Sequence, residues 1–515
     1  MPDLRLGIDV GGTHTDAVIL DASDRLVAKT KAATTADVTG GVTAAIGQVL
    51  AAGGVDPTRV SHVMLGTTHA TNAVLERRNL HRVAVLRLAA PATLSVRPLL
   101  DWPADLRAAV SAGEAIVGGG HELDGRELAP LDRHAITRFL TPLAGRVDAV
   151  AITSAFAPAT PEHELEAGDL AREILGDVDV SLSHDIGTLG LIERENATVL
   201  NATLTGVARD VAHALDSALA EHGLDGAAVL FAQNDGTLMS LDYAVRHPVL
   251  TIGSGPANSI RGAAFLANVT DALVADVGGT STDVGVLVSG FPRESAAAVE
   301  IGGIRTNFRM PDVVAVAIGG GSIVGPGGAT VGPQSVGYAL PDRALVFGGD
   351  VATLTDAAVH GGRASIGERG GINGHGDALA RAVEVSDAII AGAVDRAKTA
   401  RADQPLVVVG GGSFLVPDTL PGVSEVLRPD HHDVANAVGA AIAQVSGRWE
   451  EVVRVGPDRE ALLEQACERA RQRAVEAGAD VGSIEIVELE EVPLAYLTEP
   501  TVRLRVKAVG PLSRL

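Results

Sequence analysis

The chain has 515 residues, with 41 Lys and Arg against 64 Asp and Glu, a net charge of −23 with histidines neutral. That balance excludes a general nucleic-acid or anionic-membrane binder, because no basic field is present. Aromatics at 3% leave no platform for stacking bases, so any phosphate must be held locally, by backbone N–H groups and a metal ion.

An apolar share of 46% and a charged share of 20% fit a globular protein. The length predicts about three domains. The single cysteine, Cys467, excludes an internal disulfide and a thiolate zinc cage. No basic leader opens the sequence and no apolar run reaches about 18 residues, so a soluble cytoplasmic protein is expected.

The opening reads as strand, tight turn, strand: 4–10, the turn 11–15, then 16–21, with a third strand at 26–32. Val38, Val42, Ile46 and Val49 recur at helical spacing and predict a helix over 37–52. A strand at 62–67, a helix at 69–78 and a strand at 82–88 follow. Residues 91–145 are irregular, with a hairpin predicted at 121–128 around Asp124-Gly125. Next come a strand at 149–156, a helix at 161–175, a long helix at 192–222 and a strand at 228–233. Beyond about 450 the pattern changes to a charged helix at 459–478 and two strands at 483–489 and 501–509. Alternation of strands and helices predicts α/β layers with largely parallel sheets, plus a small α+β tail.

One stretch occurs twice. Residues 9–16 read DVGGTHTD and residues 276–283 read DVGGTSTD, identical at seven of eight positions. Each copy lies between β-like runs, so two hairpins carry one Gly-Gly-Thr corner, and two related domains facing each other are expected. Paired glycines let backbone N–H groups converge on phosphate oxygens. Gly11, Gly12, Thr13, His14 and Thr15 form the first corner; Gly278, Gly279, Thr280, Ser281 and Thr282 form the second. Their hydroxyls add donors. Asp9 and Asp276, at the strand ends, are predicted to hold Mg²⁺ through its waters.

Gly410, Gly411 and Gly412 follow the apolar run 406–409 and are expected to pass under the adenosine of ATP. A further cluster, Gly319-Gly320-Gly321, follows 313–318. None fits the Walker pattern, and no G-x-G-x-x-G stands in dinucleotide-binding context.

Other polar groups read more plainly. Asp433, after His431 and His432, is predicted to cap a helix over 434–445. Glu193 to Asn196 read as a charged helix start. His184-Asp185 reads as a loop, and Cys467 as non-catalytic. Asn72 and Glu76 share a helix face that could line the cleft.

The paired corners resemble those of the actin-like ATPase superfamily. More specifically, the chain resembles the hydantoinase A/5-oxoprolinase family, through LGIDVGGTHTDAVILD (6–21), LGTTHATNAVLERR (65–78), PEHELE (161–166), ERENATVLNATL (193–204), the stretch 230–264 that contains GSGPANSIRG, DVGGTSTDV (276–284), GGIRTNFRMPDVVAVAIGGGSI (302–323) and GPQSVGYA (332–339). The resemblance implies two actin-like, ribonuclease H-like domains across a nucleotide cleft: 1–190 with an insert at 91–145, 191–447, and a small appendage at 448–515. It implies ATP and Mg²⁺ as cofactors, with Asp9, Asp16, Asp276 and Asp283 as the catalytic set. The activity implied is phosphorylation of a cyclic amide (a hydantoin, 5-oxoproline or a lactam) and ring opening. A separate B-type subunit is the expected partner, and homo-oligomers are possible in this class. A small-molecule kinase and the ATPase subunit of a carboxylase are the alternatives. The sequence departs from the family pattern at His14, where many members have Phe, and over 312–349.

Overall fold

The computed structural model describes residues 3–11, 14–33, 38–295, 298–494 and 500–513. Gly12 and Thr13 of the first predicted corner lie outside the described residues.

The strand Leu4–Val10 pairs antiparallel with His14–Leu20, which pairs antiparallel with Leu26–Ala33. On its other side Leu4–Val10 pairs parallel with Val60–Thr67, and that strand pairs parallel with Ala228–Ala232. These runs are rich in Val, Ile and Leu because both faces of the sheet are covered. The helix Val38–Gly53 and the long helix Leu191–Glu221 bury Val42, Ile46, Val49, Val211 and Leu215 against one face.

A second sheet repeats the pattern. Ala272–Val277 pairs antiparallel with Thr282–Val288 and parallel with Gln404–Val409, which pairs parallel with Val423–Leu427. The duplication extends to register: Asp9 stands opposite Asp16, and Asp276 opposite Asp283. A third, fully parallel sheet has the order Ser111–Gly118, Val83–Ala90, Ala149–Ser154, Asp179–Leu182.

Two helices lie between the first and second sheets. Ser254–Ala267 packs Ile260, Ala263 and Ala264 onto the second. Ala435–Ala441 packs Ala437, Val438 and Ala441 against Val18 and Leu20 of the first. Their crossing leaves no room for side chains. A Cβ on Gly262 would fall 1.9 Å from the Ala435 carbonyl oxygen, and one on Gly439 1.9 Å from that of Asn258. At Gly7 a Cβ would fall 2.3 Å from the Ala437 carbonyl, so glycine lets this helix lie directly on the strand. Close packing at these glycines brings the hairpin ends of the two sheets toward one another.

Strand pairing cuts across the expected divisions at 190/191 and 447/448. Ala228–Ala232 and Leu238–Ser240 belong to the first sheet, and Val445–Arg454, Thr501–Gly510 and Glu485–Pro493 extend it to nine strands. The tail helix Arg459–Glu476 covers this extension, burying Ala466, Cys467, Ala470 and Ala474. The tail therefore adds an antiparallel edge to an existing sheet.

Two local expectations are corrected, and a third holds with an addition: Glu193 to Asn196 do open the helix Leu191–Glu221. The helix predicted over 434–445 ends at Ala441, because Val445 already pairs with Gly510. Asp433 does not cap it; its carboxylate receives Lys29 Nζ at 2.7 Å. Arg194, Glu195 and Asn196 are buried. Glu195 is held by Arg87, which is itself buried inside a strand, and Asn196 accepts Trp102 Nε1–H at 2.8 Å. Sequence spacing cannot show that a charged helix start faces a buried arginine in another element.

Candidate active site between the two hairpins

The duplicated register puts two aspartates at each hairpin end. Asp9 is buried and faces Gly66 on the neighbouring strand, where a Cβ would lie 2.5 Å from Asp9 Oδ1 and 2.4 Å from Asn258 Nδ2. Asp276 faces Gly410 in the same way: a Cβ there would lie 2.5 Å from Asp276 Oδ1 and 2.4 Å from the Val277 carbonyl oxygen. Gly410 has φ +87°, which only glycine adopts readily.

The central helices complete the floor. Asn436 donates through Nδ2 to Asp9 Oδ2 at 3.4 Å and also lies beside Asp276. Asn258 faces Asp9, and Ser259 lies beside Asp276. Asp9 and Asp276, one from each hairpin, thus share Asn436 as a neighbour.

Proton affinities reflect this crowding. Burial first, then the charges of Asp16 and Asp276, push Asp9 up to about 7. Burial and then Asp276 push Asp283 up to about 7. Burial also raises Asp16, against the pull of Lys31, whose Nζ lies 2.6 Å from Asp16 Oδ1. It raises Asp276 too, against the pull of Ser259, Asn436 and Lys31. Asp9, Asp16 and Asp276 bear on one another, Asp283 feels Asp276, and Lys31 acts on Asp16 and Asp276.

The two hairpin ends are closed by matching backbone hydrogen bonds. Gly11 N–H donates to the His14 carbonyl at 3.0 Å, and Gly278 N–H to the Ser281 carbonyl at 2.9 Å. Gly320 and Gly321 donate their N–H groups to the carbonyls of Gly278 and Gly279, and Gly412 N–H donates to the Val277 carbonyl at 2.7 Å. Both later glycine clusters therefore buttress the second corner. Thr282 is turned away from any ligand: it is buried, and its hydroxyl donates to the Ile318 carbonyl at 2.8 Å. Thr15, at the matching position, is buried as well, whereas Thr280 is exposed and Ser281 half-buried. His14 is exposed, and partial desolvation followed by the charge of Lys31 holds its imidazole below the usual range.

Asn258, Ser259, Asn436, Lys29 and Lys31 were not singled out from the sequence, and Asp433 was read as a helix cap and not as the partner of Lys29. A weak signal existed: Asn436 is the polar residue in a helix otherwise made of Ala, Val and Gly. Glu76 is exposed and Asn72 half-buried, so they do not form one cleft-lining pair. His184 gives Nδ1 to the buried Glu164 at 2.7 Å, a packing role. In the divergent stretch 312–349, Asp312 pairs with Arg293, Leu345 and Val346 are buried, and Tyr338 is 82% exposed.

The cleft fits a divalent cation beside phosphates. Asp9 Oδ1 and Asn258 Oδ1 are buried oxygens without a hydrogen-bond partner. Such orphaned groups need a ligand, water or ion, and hard oxygen donors suit Mg²⁺.

Fold and site together define an α/β protein in which two sheets carry hairpins of matching register. The hydantoinase/oxoprolinase N-terminal region matches residues 5–175 and the hydantoinase/oxoprolinase region residues 194–369; the chain belongs to this family. It is 28% identical over 378 residues to the caprolactamase subunit alpha of Pseudomonas jessenii, covering 68% of this chain and 53% of that one. It is 28% identical over 400 residues to the acetophenone carboxylase gamma subunit of Aromatoleum aromaticum, covering 69% and 52%. The chain spans about half the length of these curated relatives. Among solved structures, ATP-dependent caprolactamase from Pseudomonas jessenii superposes with a TM-score of 0.79 at 22% identity, and nucleotide-free acetone carboxylase with 0.73 at 16%; each match covers 99% of this chain and 88% of the other. Among the described residues no helix is long and apolar enough to cross a membrane.

Proposed function

We propose that this chain is the ATP-using subunit of an ATP-dependent cyclic-amide hydrolase. ATP would phosphorylate the amide oxygen of a hydantoin, 5-oxoproline or lactam, and water would then open the activated ring. A resonance-stabilised amide is a poor electrophile, and transfer of a phosphoryl group to its oxygen removes that obstacle. The observation that carries this reading is the convergence of Asp9 and Asp276 from duplicated hairpins on one floor shared by Asn436.

Asp9 and Asp276 would hold Mg²⁺, with Asp16 and Asp283 behind them, and the backbone of Gly11–Thr15 and Gly278–Ser281 would face the phosphates. Bound Mg²⁺ supplies charge neutralisation at the β- and γ-phosphate oxygens. Gly410–Gly412 would leave the nucleotide a close approach along the second lobe, since a side chain at Gly410 would strike Asp276. The ring-opening half is assigned to a B-type partner subunit, a reading supported by the caprolactamase and acetophenone carboxylase relatives being named as subunits.

The test is ATP turnover with Mg²⁺ on hydantoin, 5-oxoproline and lactam panels, with and without a B-type chain. Free phosphate with a ring-opened acid supports the hydrolase. A stable phosphoester instead marks a kinase, and no ATP binding defeats both. The equal identity to the acetophenone carboxylase subunit favours one second reading, the ATPase subunit of a carboxylase. Turnover that depends on bicarbonate and yields a carboxylated product would establish it.

A further inference from the structure

The four-stranded parallel sheet carries a cluster of polar side chains at the ends of its strands. Its chain connections leave Val83–Ala90 toward one side and Ala149–Ser154 toward the other. In parallel sheets the crevice beyond the C-terminal ends of such strands is where ligands collect. The loop after Ser111–Gly118 crosses there. Gly119 and Gly120 have φ +144° and +87°, and a Cβ on Gly120 would lie 2.6 Å from the Leu88 carbonyl oxygen and 3.0 Å from Ala155 Cβ. The loop delivers His121, whose N–H donates to the Ala155 carbonyl at 3.3 Å and which bridges Glu127 across the hairpin.

His163, at the start of the helix Glu162–Leu175, comes up against His121 with ring centroids 4.2 Å apart. The two histidines are 5% and 6% exposed. Glu127 Oε1 lies 3.6 Å from His163 Nε2, and one ligand atom from each of the three residues falls within 4.8 Å of the others. His121 Nδ1 is buried with no hydrogen-bond partner. A buried ring nitrogen left unpaired is costly, so it asks for an occupant.

We propose that His121, His163 and Glu127 bind a transition-metal dication of the Zn²⁺ type. Two imidazoles and one carboxylate form a nitrogen-rich set that suits Zn²⁺, not Mg²⁺ or Ca²⁺, and three protein ligands leave a fourth position for water. The Glu127 side chain is 56% exposed and marks the side from which the ion enters.

Loading involves a tautomer change at His163. Gly120 N–H donates to His163 Nδ1 at 2.9 Å, so the neutral ring carries its proton on Nε2. The metal takes the Nε2 lone pair and the proton moves to Nδ1, with no net charge change on the ring. A metal-bound imidazole donates its other N–H to an acceptor. The peptide between Gly119 and Gly120 supplies one by turning its carbonyl toward Nδ1, a rotation that two consecutive glycines allow.

The experiment uses the full chain, stripped with chelator and titrated with Zn²⁺ alone by calorimetry in the presence of saturating Mg²⁺. Co²⁺ serves as the spectroscopic probe. One Zn²⁺ per chain is expected, with Co²⁺ bands of a four-coordinate nitrogen–oxygen site. Affinity should fall 10- to 100-fold in Glu127→Gln and be lost in His121→Ala. Glu127 is exposed, so its variant tests the site without disturbing the core. Absence of Zn²⁺ binding by the parent chain, or undiminished binding in both variants, overturns the proposal.

Discussion

Asp9 and Asp276 occupy the same register position in two hairpins, and Asn436 lies beside both carboxylates. Asn436 is neutral, so it can donate to either acid without cancelling the negative field that attracts a cation. Its helix is fixed by Gly439 against Asn258 and by Gly7 against Ala437, which leaves the amide little freedom. Asn436→Ala removes an orienting partner of two acids assigned to Mg²⁺. The Mg²⁺ concentration for half-maximal ATP turnover should rise about 10- to 100-fold, as for loss of other groups that orient metal ligands. An unchanged Mg²⁺ dependence would show that Asn436 only packs.

The raised acids set a pH dependence for the cation-free protein. Asp9 and Asp283 are pushed up to about 7 in the fold, against about 3.8 for a free side chain. The folded state then holds protons that the unfolded state has released. The stabilisation is complete below about pH 4 and is lost as pH rises toward 7, at about 1.4 kcal/mol per pH unit for each extra proton held. Thermal midpoints without divalent cation should fall between about pH 4 and 7 and level off above, and Asp283→Asn should flatten that fall. Saturating Mg²⁺ should flatten it as well, because a bound cation replaces the protons. A fall equally steep in parent and Asp283→Asn would remove Asp283 from the buried acid cluster.

The helix crossing predicts intolerance of a single methyl group. At Gly262 and Gly439 the added Cβ meets backbone atoms at 1.9 Å, and backbone cannot rotate aside as a side chain can. Gly439→Ala and Gly262→Ala should each cost about 1–3 kcal/mol or more, seen as a lower thermal midpoint and loss of soluble protein. Gly411→Ala, where a Cβ would meet nothing within 4 Å, is the control and should leave the midpoint unchanged.

The strand pairing of both hairpins and the long helix Leu191–Glu221 could be read from the chain, because their signals are local: period-two and period-3.6 apolar patterns flanking repeated glycines. The pairing of the corners was legible only through duplication, which implies a facing partner without showing the floor between them. That floor comes from Asn258, Ser259 and Asn436, which no spacing rule connects. Thr282 illustrates the opposite failure. Its hydroxyl suits a phosphate on paper, but strand alternation points it at the Ile318 carbonyl. The tail looked separate because its composition shifts near 450, whereas sheet membership is decided by backbone pairing between Val445–Arg454 and Thr501–Gly510, to which composition is blind.

The Arg87–Glu195 pair offers a stability test remote from the cleft. Arg87 is fully buried in the middle of a parallel strand, and its Nε and Nη2 each lie 2.7 Å from a Glu195 oxygen, with Nη1 donating to the Val96 carbonyl at 2.6 Å. Breaking such a pair strands a charge without solvent and costs about 3–5 kcal/mol, while replacing both partners by apolar residues of similar volume is close to neutral. Glu195→Gln should therefore accelerate amide exchange in the strand Val83–Ala90 and lower the thermal midpoint, and Arg87→Met with Glu195→Leu should restore most of the loss. The double variant recovers only if the pair is stabilising chiefly by mutual neutralisation. If it remains as unstable as the single variant, then the Arg87 contact with the Val96 carbonyl, which anchors the chain leaving the strand Val83–Ala90, is the larger contribution.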